Sequence, residues 1–573
     1  MNRKLYLFIL SFFLTISSSL IAQTQLPTTQ FYLTGLGRTI VTNNKLNGNV
    51  IKNDALTPNK GVSGYMLFDL GANLRASENL RCNAILRVKN PFGTFFGEGV
   101  TFQFRQIQLM GRIAKTVDYQ IGDINVEMTP YTVHAAPEMY HQYESEIFKM
   151  RRNIVNYENF VIGNAWRLQG VQGFATFPFP RNVESIKVHA FAVRTNATND
   201  VTVPDRILAG GRVTLKQSNA FYVGVNYVGL QDIPISNSDI DYTNHVVTGD
   251  GKISSDKENV ILSLSMEGGF STYNNFRTSD KTTVSYNDYF FDIGTSEVFK
   301  PFKMKVFANY KDVGPQFSSP SAQTTRINVL ATPELFSKFQ NNSVNRPQML
   351  FDRFTQEGIY NRAISPVLLP FLPQYGNISP YGAATPNRRG FSAGLASDTS
   401  IKVFTAEFKA DLLTEIIGEG VTDLRKFTGL KGGILFNVGK LLNLKRMLSV
   451  NLGERYEKTT RGGFVPVNLS STLIDAGISM EVINKIDLLV GVKSLSAKGN
   501  EYMGVRDQFN QFSSFTALNL NIKEKIYSFG ARVRFSTNAY FTVNYNRASS
   551  QNNMNTTLNY NINQLFINYT VIF

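Results

Sequence analysis

The feature that most constrains this chain is the recurrence of short stretches in which every second residue is apolar. One such stretch begins at Met66, turns at 76–79 and returns as far as Lys89. A β-strand places successive side chains on opposite faces, so the alternation predicts strands with one apolar and one polar face, joined in antiparallel hairpins. Further hairpins are predicted at 206–229, 473–495 and 527–547.

Two architectures contain strands of this kind. A soluble β-sandwich or solenoid turns the apolar faces towards a core, whereas a barrel in lipid turns them outward. In these strands aliphatic residues lie in the middle and aromatic residues near the ends, and 44 Phe and 25 Tyr accompany a single Trp. Strands of about 9–13 residues are long enough to cross a bilayer at a tilt, and closure pairs every backbone group. The pattern therefore predicts an all-β transmembrane antiparallel β-barrel.

The connections between the predicted strands alternate in length, as in barrels with short periplasmic turns and long extracellular loops. We expect roughly 18 strands, with 16–20 compatible with the pattern and an even number required. The barrel should form a single domain over 64–573, after a short N-terminal segment at 23–63. Long connections are predicted at 90–100, 127–164, 195–205, 314–398 and 497–526.

The first residues are typical of a secretory signal. Arg3 and Lys4 precede an apolar run from Leu5 to Leu14, and small residues follow. We predict a signal peptide at 1–22 with cleavage between Ala22 and Gln23; an uncleaved membrane anchor is the alternative. No later apolar run is long enough for a membrane-spanning helix.

The last stretch, QLFINYTVIF, has apolar residues at every second position and ends on an aromatic ring: Leu565, Ile567, Tyr569, Val571 and Phe573. This ending resembles the C-terminal signature of Gram-negative outer-membrane β-barrel proteins, including porins. The resemblance implies that the barrel-assembly machinery recognises this strand and that the strand closes the barrel against the first one. It also implies a location in the cell outer membrane, with outer-membrane lipids as partners.

The polar faces of the predicted strands suggest a function. Basic residues outnumber acidic ones there, and the chain as a whole carries a net charge of +15. We therefore predict a porin-like channel or transporter for small polar or anionic solutes. A plainer interpretation is that these charges pair within a plugged lumen. The residues predicted to line the lumen are Asp69, Asn73, Arg75, Arg81, Arg87, Lys89, Arg212, Lys493, Arg532 and Arg534.

The alternative function is that of a cell-surface scaffold or secretion-system component, in which the long outer loops bind a surface or periplasmic protein partner. Within the first of these loops, residues 135–152 are predicted to be helical, with Ile147 and Met150 on one face. The connection at 314–398 is rich in aromatic residues, so we expect it to fold over the barrel mouth or into the lumen.

No pattern indicates an enzyme. The histidines, His134, His141, His189 and His245, show no metal-ligand spacing with Cys82 or with one another. There is no G-x-S-x-G motif and no phosphate-binding loop. We accordingly expect no catalytic residues, no metal, no cofactor and no nucleic-acid partner.

The alternation also assigns the face of individual residues. Leu70, Ala84, Val225, Val490 and Val533 should face outward, whereas Asp69, Asn83, Arg212 and Arg532 should face the lumen. An arginine at Val490 should therefore cost roughly 2–4 kcal/mol near the bilayer midplane, and an arginine at Gly491 should be tolerated far better.

Overall fold

The structure is a computed structural model, and the predicted signal peptide with its cleavage site at Ala22 and Gln23 lies outside the residues it describes. Those residues are 30–51, 59–92, 99–135, 143–160, 166–179, 181–199, 203–235, 240–277, 281–323, 325–336, 346–398 and 400–573.

Twenty-two strands run in chain order through the described residues. They are β1 (Gln30–Gly48), β2 (Lys60–Ser77), β3 (Leu80–Pro91), β4 (Thr101–Ile113), β5 (Val117–Ile124), β6 (Leu168–Pro178), β7 (Ser185–Asn196), β8 (Asp205–Lys216), β9 (Phe221–Ile233), β10 (Ile240–Asp256), β11 (Val260–Arg277), β12 (Thr282–Phe299), β13 (Met304–Val313), β14 (Arg388–Ser397), β15 (Phe404–Thr414), β16 (Lys426–Phe436), β17 (Leu448–Arg461), β18 (Val467–Ile483), β19 (Ile486–Arg506), β20 (Phe512–Arg534), β21 (Ala539–Asn552) and β22 (Tyr560–Ile572).

Three short helices accompany the strands: α1 (Glu146–Asn159), α2 (Asp352–Thr355) and α3 (Val438–Leu441). Single 3₁₀ turns lie at Asn49–Ile51, Pro373–Tyr375 and Thr556–Leu558. No helix in the described part of the chain is both long and apolar enough to cross a membrane.

The sheet is closed. Each strand pairs antiparallel with the next, and β22 pairs with β1 from Leu36↔Ile572 to Gly48↔Tyr560. Beyond the end of β22, Phe573 exchanges two backbone hydrogen bonds with Gly35, at 2.7 and 3.0 Å. Closure removes both sheet edges, so every strand has two neighbours. The predicted all-β antiparallel barrel is confirmed.

The predicted strand number was wrong, since the barrel has 22 strands rather than roughly 18. Strand β1 lies within the segment at 23–63 that we expected to precede the barrel. The predicted long connection at 497–526 is a hairpin of β19 and β20, joined only by residues 507–511. Backbone pairing continues through the outer parts of both strands, as at Tyr502↔Ala517 and Gly504↔Phe515, where apolar and polar residues no longer alternate regularly.

The barrel has two different rims. At the short-turn rim β1 begins, β22 ends, and brief turns such as 77–80 and 484–485 join the strands. At the long-connection rim, residues 125–167 join β5 to β6 and residues 314–387 join β13 to β14.

The outward face of the barrel is apolar. Val225 is 60% exposed and Phe529 is 58% exposed, and the alternate residues of the same strands, Asn226 and Ser528, are buried inside. Val490 likewise lies on the outward face, as expected. The apolar positions of the last strand share this face, whereas Phe566 and Asn568 between them point inward and are buried.

Candidate functional site

The barrel encloses two of its own connections. The plug is defined as the described residues of 125–167 and 314–387. Its contacts reach inward side chains all around the wall: Asn451 of β17 donates to the Tyr143 carbonyl oxygen, and Asn244 of β10 donates to the Ser318 carbonyl oxygen. Because these strands lie far apart around the barrel, the plug occupies the lumen rather than extending away from the rim.

Helix α1 crosses the lumen as part of the plug. It was predicted at 135–152, but it begins at Glu146 and ends at Asn159, while 136–142 lie outside the described residues. Ile147 and Met150 are buried, as their shared face predicted. Lys149 and Asn153 of α1 are exposed, but other polar residues at and beside its two ends are buried and contact the wall. These contacts anchor the helix at both of its ends.

The first anchor lies just before and within the first turns of α1. The Glu144 carboxylate accepts two hydrogen bonds from Arg152 at 2.8 Å and pairs with Lys493 of β19. Lys493 also lies 3.2 Å from Asp475 of β18. Burial disfavours the charged carboxylate, but Arg152 and Lys493 outweigh it and hold the pKa of Glu144 well below its ordinary value. The group stays ionised and ties α1 to the wall.

The second anchor, called here the latch, is the Glu158 carboxylate with Arg38, Tyr65 and Lys89. Glu158 lies 3.1 Å from Arg38 and 3.6 Å from Lys89. The Tyr65 hydroxyl lies 2.8 and 2.7 Å from the two carboxylate oxygens. The Glu158 side chain is only 3% exposed, so the latch holds the C-terminal end of α1 with almost no competition from water.

Tyr157 strengthens the same end of the helix. Its hydroxyl donates to Asp69 at 2.6 Å, and the Arg105 guanidinium lies 3.8 Å from its ring centroid. Asp69 accepts two further hydrogen bonds from Arg87 at 2.7 Å. A predicted lumen residue, Asp69, therefore connects the wall to the plug.

Apolar packing joins the plug to the wall between the two anchors. Phe148 of α1 and Phe351 and Phe354 of the second connection contact Leu489 and Ile526, and all are at most 2% exposed. The inward face of β19 is thus partly apolar, and Leu488, Leu489 and Val490 form a run without alternation. Such runs are the mark of a strand covered on both faces.

The expectation that arginine would be tolerated far better at Gly491 than at Val490 did not foresee that the lumen is filled at this point. A Cβ atom at this position would lie 2.7 Å from Ile147 and 2.8 Å from Phe148. Gly491 does face the lumen, but the lumen there is occupied by α1. A large side chain would displace the helix.

The residues predicted to line the lumen lie on the inward face, and most of their charges are compensated. Arg212 forms two hydrogen bonds of 2.7 Å with Asp250, and Arg532 pairs with Asp487 and Glu146. Arg534 also pairs with Asp487, and Lys89 with Glu357. This arrangement matches the plainer interpretation, in which lumen charges pair around a plug. Their part in solute passage stays a prediction.

The other predicted residues of this set lie towards the short-turn rim. Asn73 donates to Thr34 at 3.1 Å. Arg75 and Arg81 face each other across β2 and β3 in the register of the sheet. These three residues lie away from the latch, and the structure does not bring them together with Lys493, Arg212 or Arg532.

Sequence reasoning missed the residues that anchor the plug. Glu158 and Tyr157 lie beyond the predicted helix end, and Arg105 lies on a strand that was not identified. The available signal was the density of aromatic and charged residues in long connections, which pointed to ordered segments but not to their partners.

Two cavities lie on opposite sides of α1. One of about 580 Å³ opens near the short-turn rim, where Gly35, Tyr157 and Phe573 line it. Another of about 530 Å³ lies towards the long-connection rim and is lined by Tyr65, Lys89 and Glu158. Ile154 of α1 lines both. Helix α1 is therefore the barrier between them.

Comparison with protein-family models gives no match, and comparison with curated protein sequences gives none either. Solved structures do match. OccK8 (OprE) of Pseudomonas aeruginosa is 8% identical with a TM-score of 0.37, covering 95% of this chain and 98% of that chain. The copper transporter OprC is 8% identical with a TM-score of 0.49, covering 94% and 80%. An outer membrane protein of Vibrio cholerae, OmpT lacking loop L8, is 8% identical with a TM-score of 0.27, covering 95% and 99%.

The closed antiparallel barrel is the fold that the predicted resemblance to Gram-negative outer-membrane β-barrel proteins implies. At these identities and TM-scores the similarity concerns the barrel fold alone. The closed, plugged barrel described above rests on the strand pairing and side-chain contacts of this chain.

Proposed function

We propose that this chain is an outer-membrane transporter for small polar or anionic solutes, closed at rest by its plug. The observation that carries the proposal is the pair of cavities separated by α1. A solute could enter either cavity from its own side, but it could pass between them only if α1 moved. Barrels of 22 strands in outer membranes are typically transporters with a plugged lumen, which agrees with this function.

The membrane location is part of the proposal. The outward face is apolar over the middle of the strands, and a closed barrel leaves no strand edge unpaired in hydrocarbon. Lipids of the outer membrane would cover this face. The barrel-assembly machinery would recognise the last strand, whose alternate residues Leu565, Tyr569 and Phe573 lie on the outward face.

The attachment of α1 suits a movable barrier. Its anchors are ion pairs and hydrogen bonds to the wall, and both Glu144 and Glu158 sit between more than one cation. A solute or a change in protonation that competes for these cations would release one end of the helix. An open porin would need no such anchors, so we propose gated rather than permanent passage.

The experiment is reconstitution of the purified chain into planar bilayers and into vesicles loaded with labelled citrate or glucose. The native protein should show rare, brief openings and slow release. The variant Glu158→Gln, which weakens the latch, should open far more often. A large permanent conductance of the native protein would contradict gating.

The scaffold function is the second candidate, and the closed lumen favours it because binding a partner needs no passage. The same experiment separates the two. If neither the native protein nor Glu158→Gln passes solute, transport fails and a structural or partner-binding role takes its place.

A further inference from the structure

A third cavity, of about 460 Å³, lies between strands β12–β17 and the second plug connection. Its wall is unusually rich in lysine: Lys311 of β13, Lys409 of β15 and Lys431 of β16. In the sheet register Lys409 lies directly opposite Lys431. Like charges in this position repel and destabilise a sheet unless something neutralises them.

The carboxylates of this cavity are already engaged by other donors. Asp411 pairs with Lys409 at 2.8 Å and accepts from Ser392. Asp292 accepts from Tyr131 and Asn309. Glu457 accepts from the Asn377 backbone N–H at 2.7 Å. Lys409 is thus the one cavity lysine with a close carboxylate partner among the described residues.

The other two lysines have no carboxylate within ion-pair distance among the described residues, although Asp411 acts on both from farther away. Lys311 is 8% exposed, and its Nζ donates to Ser379 Oγ at 3.3 Å, a neutral partner. Lys431 lines the same space and forms no ion pair within the part of the chain that the structure describes. Burying an ammonium group without a counter-charge is costly, so this arrangement is suited to an anion that supplies one.

The rest of the lining indicates the size and shape of that anion. The hydroxyls of Ser379 and Ser392 and the rings of Phe307 and Phe371 line the same cavity. A volume of this order is typical of small-molecule sites, which combine apolar walls with a few placed polar groups. A hydrated inorganic ion alone would make no contact that needs the rings of Phe307 and Phe371.

We propose that this cavity binds a small organic anion carrying carboxylate or phosphate groups, with Lys311 and Lys431 as its counter-charges. The site lies between wall and plug, so a bound anion would contact both. The assignment rests on the proposed function in one respect: it names the anion class that the transporter would take up.

The test is isothermal titration calorimetry of the full chain in detergent, with citrate, glycerol 3-phosphate and inorganic phosphate as probes and glucose as the neutral control. The variants are Lys311→Gln and Lys431→Gln. Lys300→Gln is the matched control, because it removes the same charge from an exposed pair with Asp256. Lys431→Arg retains the charge. Each variant is first checked for heat-modifiable migration on gels.

The native protein should bind at least one organic anion, and the two cavity variants should weaken it by roughly tenfold to a hundredfold, since each removes a charged hydrogen-bond donor. Lys300→Gln and Lys431→Arg should bind nearly as the native protein does. Absence of saturable binding at millimolar probe, or equal weakening by Lys300→Gln, overturns the site. Preference for inorganic phosphate over both organic anions overturns the organic class.

Binding and transport fail separately in this design. Saturable binding without any solute flux from vesicles would retain the anion site and remove the transport function. Flux of citrate and glucose at equal rates, with no binding of either, would retain the transport function and remove the anion site.

Discussion

Replacing Glu158 by glutamine should open the barrel. The substitution keeps the shape of the side chain and removes the charge that faces Arg38, Lys89 and the Tyr65 hydroxyl. The Arg38 side chain is 5% exposed in the closed state, so it would lose its counter-charge where water cannot replace it. In an open state, with α1 moved away, the same guanidinium would be hydrated, so the substitution would change the free energy of that state little.

The size of the effect follows from this difference between the two states. Removing one partner of a buried ion pair costs about 3–5 kcal/mol. Because the cost falls on the closed state alone, the equilibrium should shift towards the open state by roughly a hundredfold to several thousandfold. Tyr157 would still hold Asp69, so the helix should not be released entirely.

The assay is the opening probability of single proteins in planar bilayers at neutral pH. Glu184→Gln is the matched control, since Glu184 pairs with Lys216 at the exposed short-turn rim, where ion pairs contribute about 0–1 kcal/mol. An opening probability of Glu158→Gln within a factor of about three of this control would refute the idea that the latch holds the plug closed.

Three further predictions concern other parts of the same structure. Acid should open the barrel: burial opposes ionisation, but neighbouring cations hold the pKa values of Glu144 and Glu158 below the ordinary value of 4.5. Their contribution is complete above that pH and is lost as pH falls through the lowered pKa values, so conductance should rise in that acidic range. An unchanged conductance there would contradict the role of these two carboxylates. Val490→Arg should destabilise the barrel by about 2–4 kcal/mol in vesicles if Val490 lies near the bilayer midplane. Gly491→Ala should loosen α1 and leave barrel unfolding nearly unchanged. Equal effects of the two substitutions on urea unfolding would contradict the assignment of Val490 to the outward face and Gly491 to the lumen. Deleting Phe573 should lower the yield in the outer membrane far more than refolding into vesicles, because its ring contributes only about 1.5–3 kcal/mol and each of its two backbone hydrogen bonds to Gly35 only about 0.5–1.5 kcal/mol. Equal losses in both measurements would mean that Phe573 serves only as a structural anchor.

The barrel wall could largely be predicted from the sequence, because each strand faces the apolar outer surface on one side and the lumen on the other, and its residues alternate accordingly. The hairpins at 66–89 and 527–547 and the closing strand were found for this reason. The number of strands could not be read from the sequence, because apolar and polar residues do not alternate regularly in β1 or in the outer halves of β19 and β20. In those parts the strands are recognised by their backbone pairing.

The plug could not be read in the same way. Glu158 meets Arg38 across 120 positions of sequence, and Lys493 meets Glu144 across 349. No local pattern encodes such partners. Besides the aromatic and charged residues of the long connections, a second trace was the apolar run at Leu488 to Val490, which departs from alternation because α1 covers its inner side.

Each half of the plug is fixed to the wall at both of its ends. The first half leaves β5 and rejoins β6, and the second leaves β13 and rejoins β14, so the two ends of each half sit on neighbouring, hydrogen-bonded strands. A displaced half therefore stays tethered at the long-connection rim and cannot diffuse away. Its return is an intramolecular step whose entropic cost grows only slowly with segment length. If the barrel opens as proposed, this connectivity would make the opening reversible.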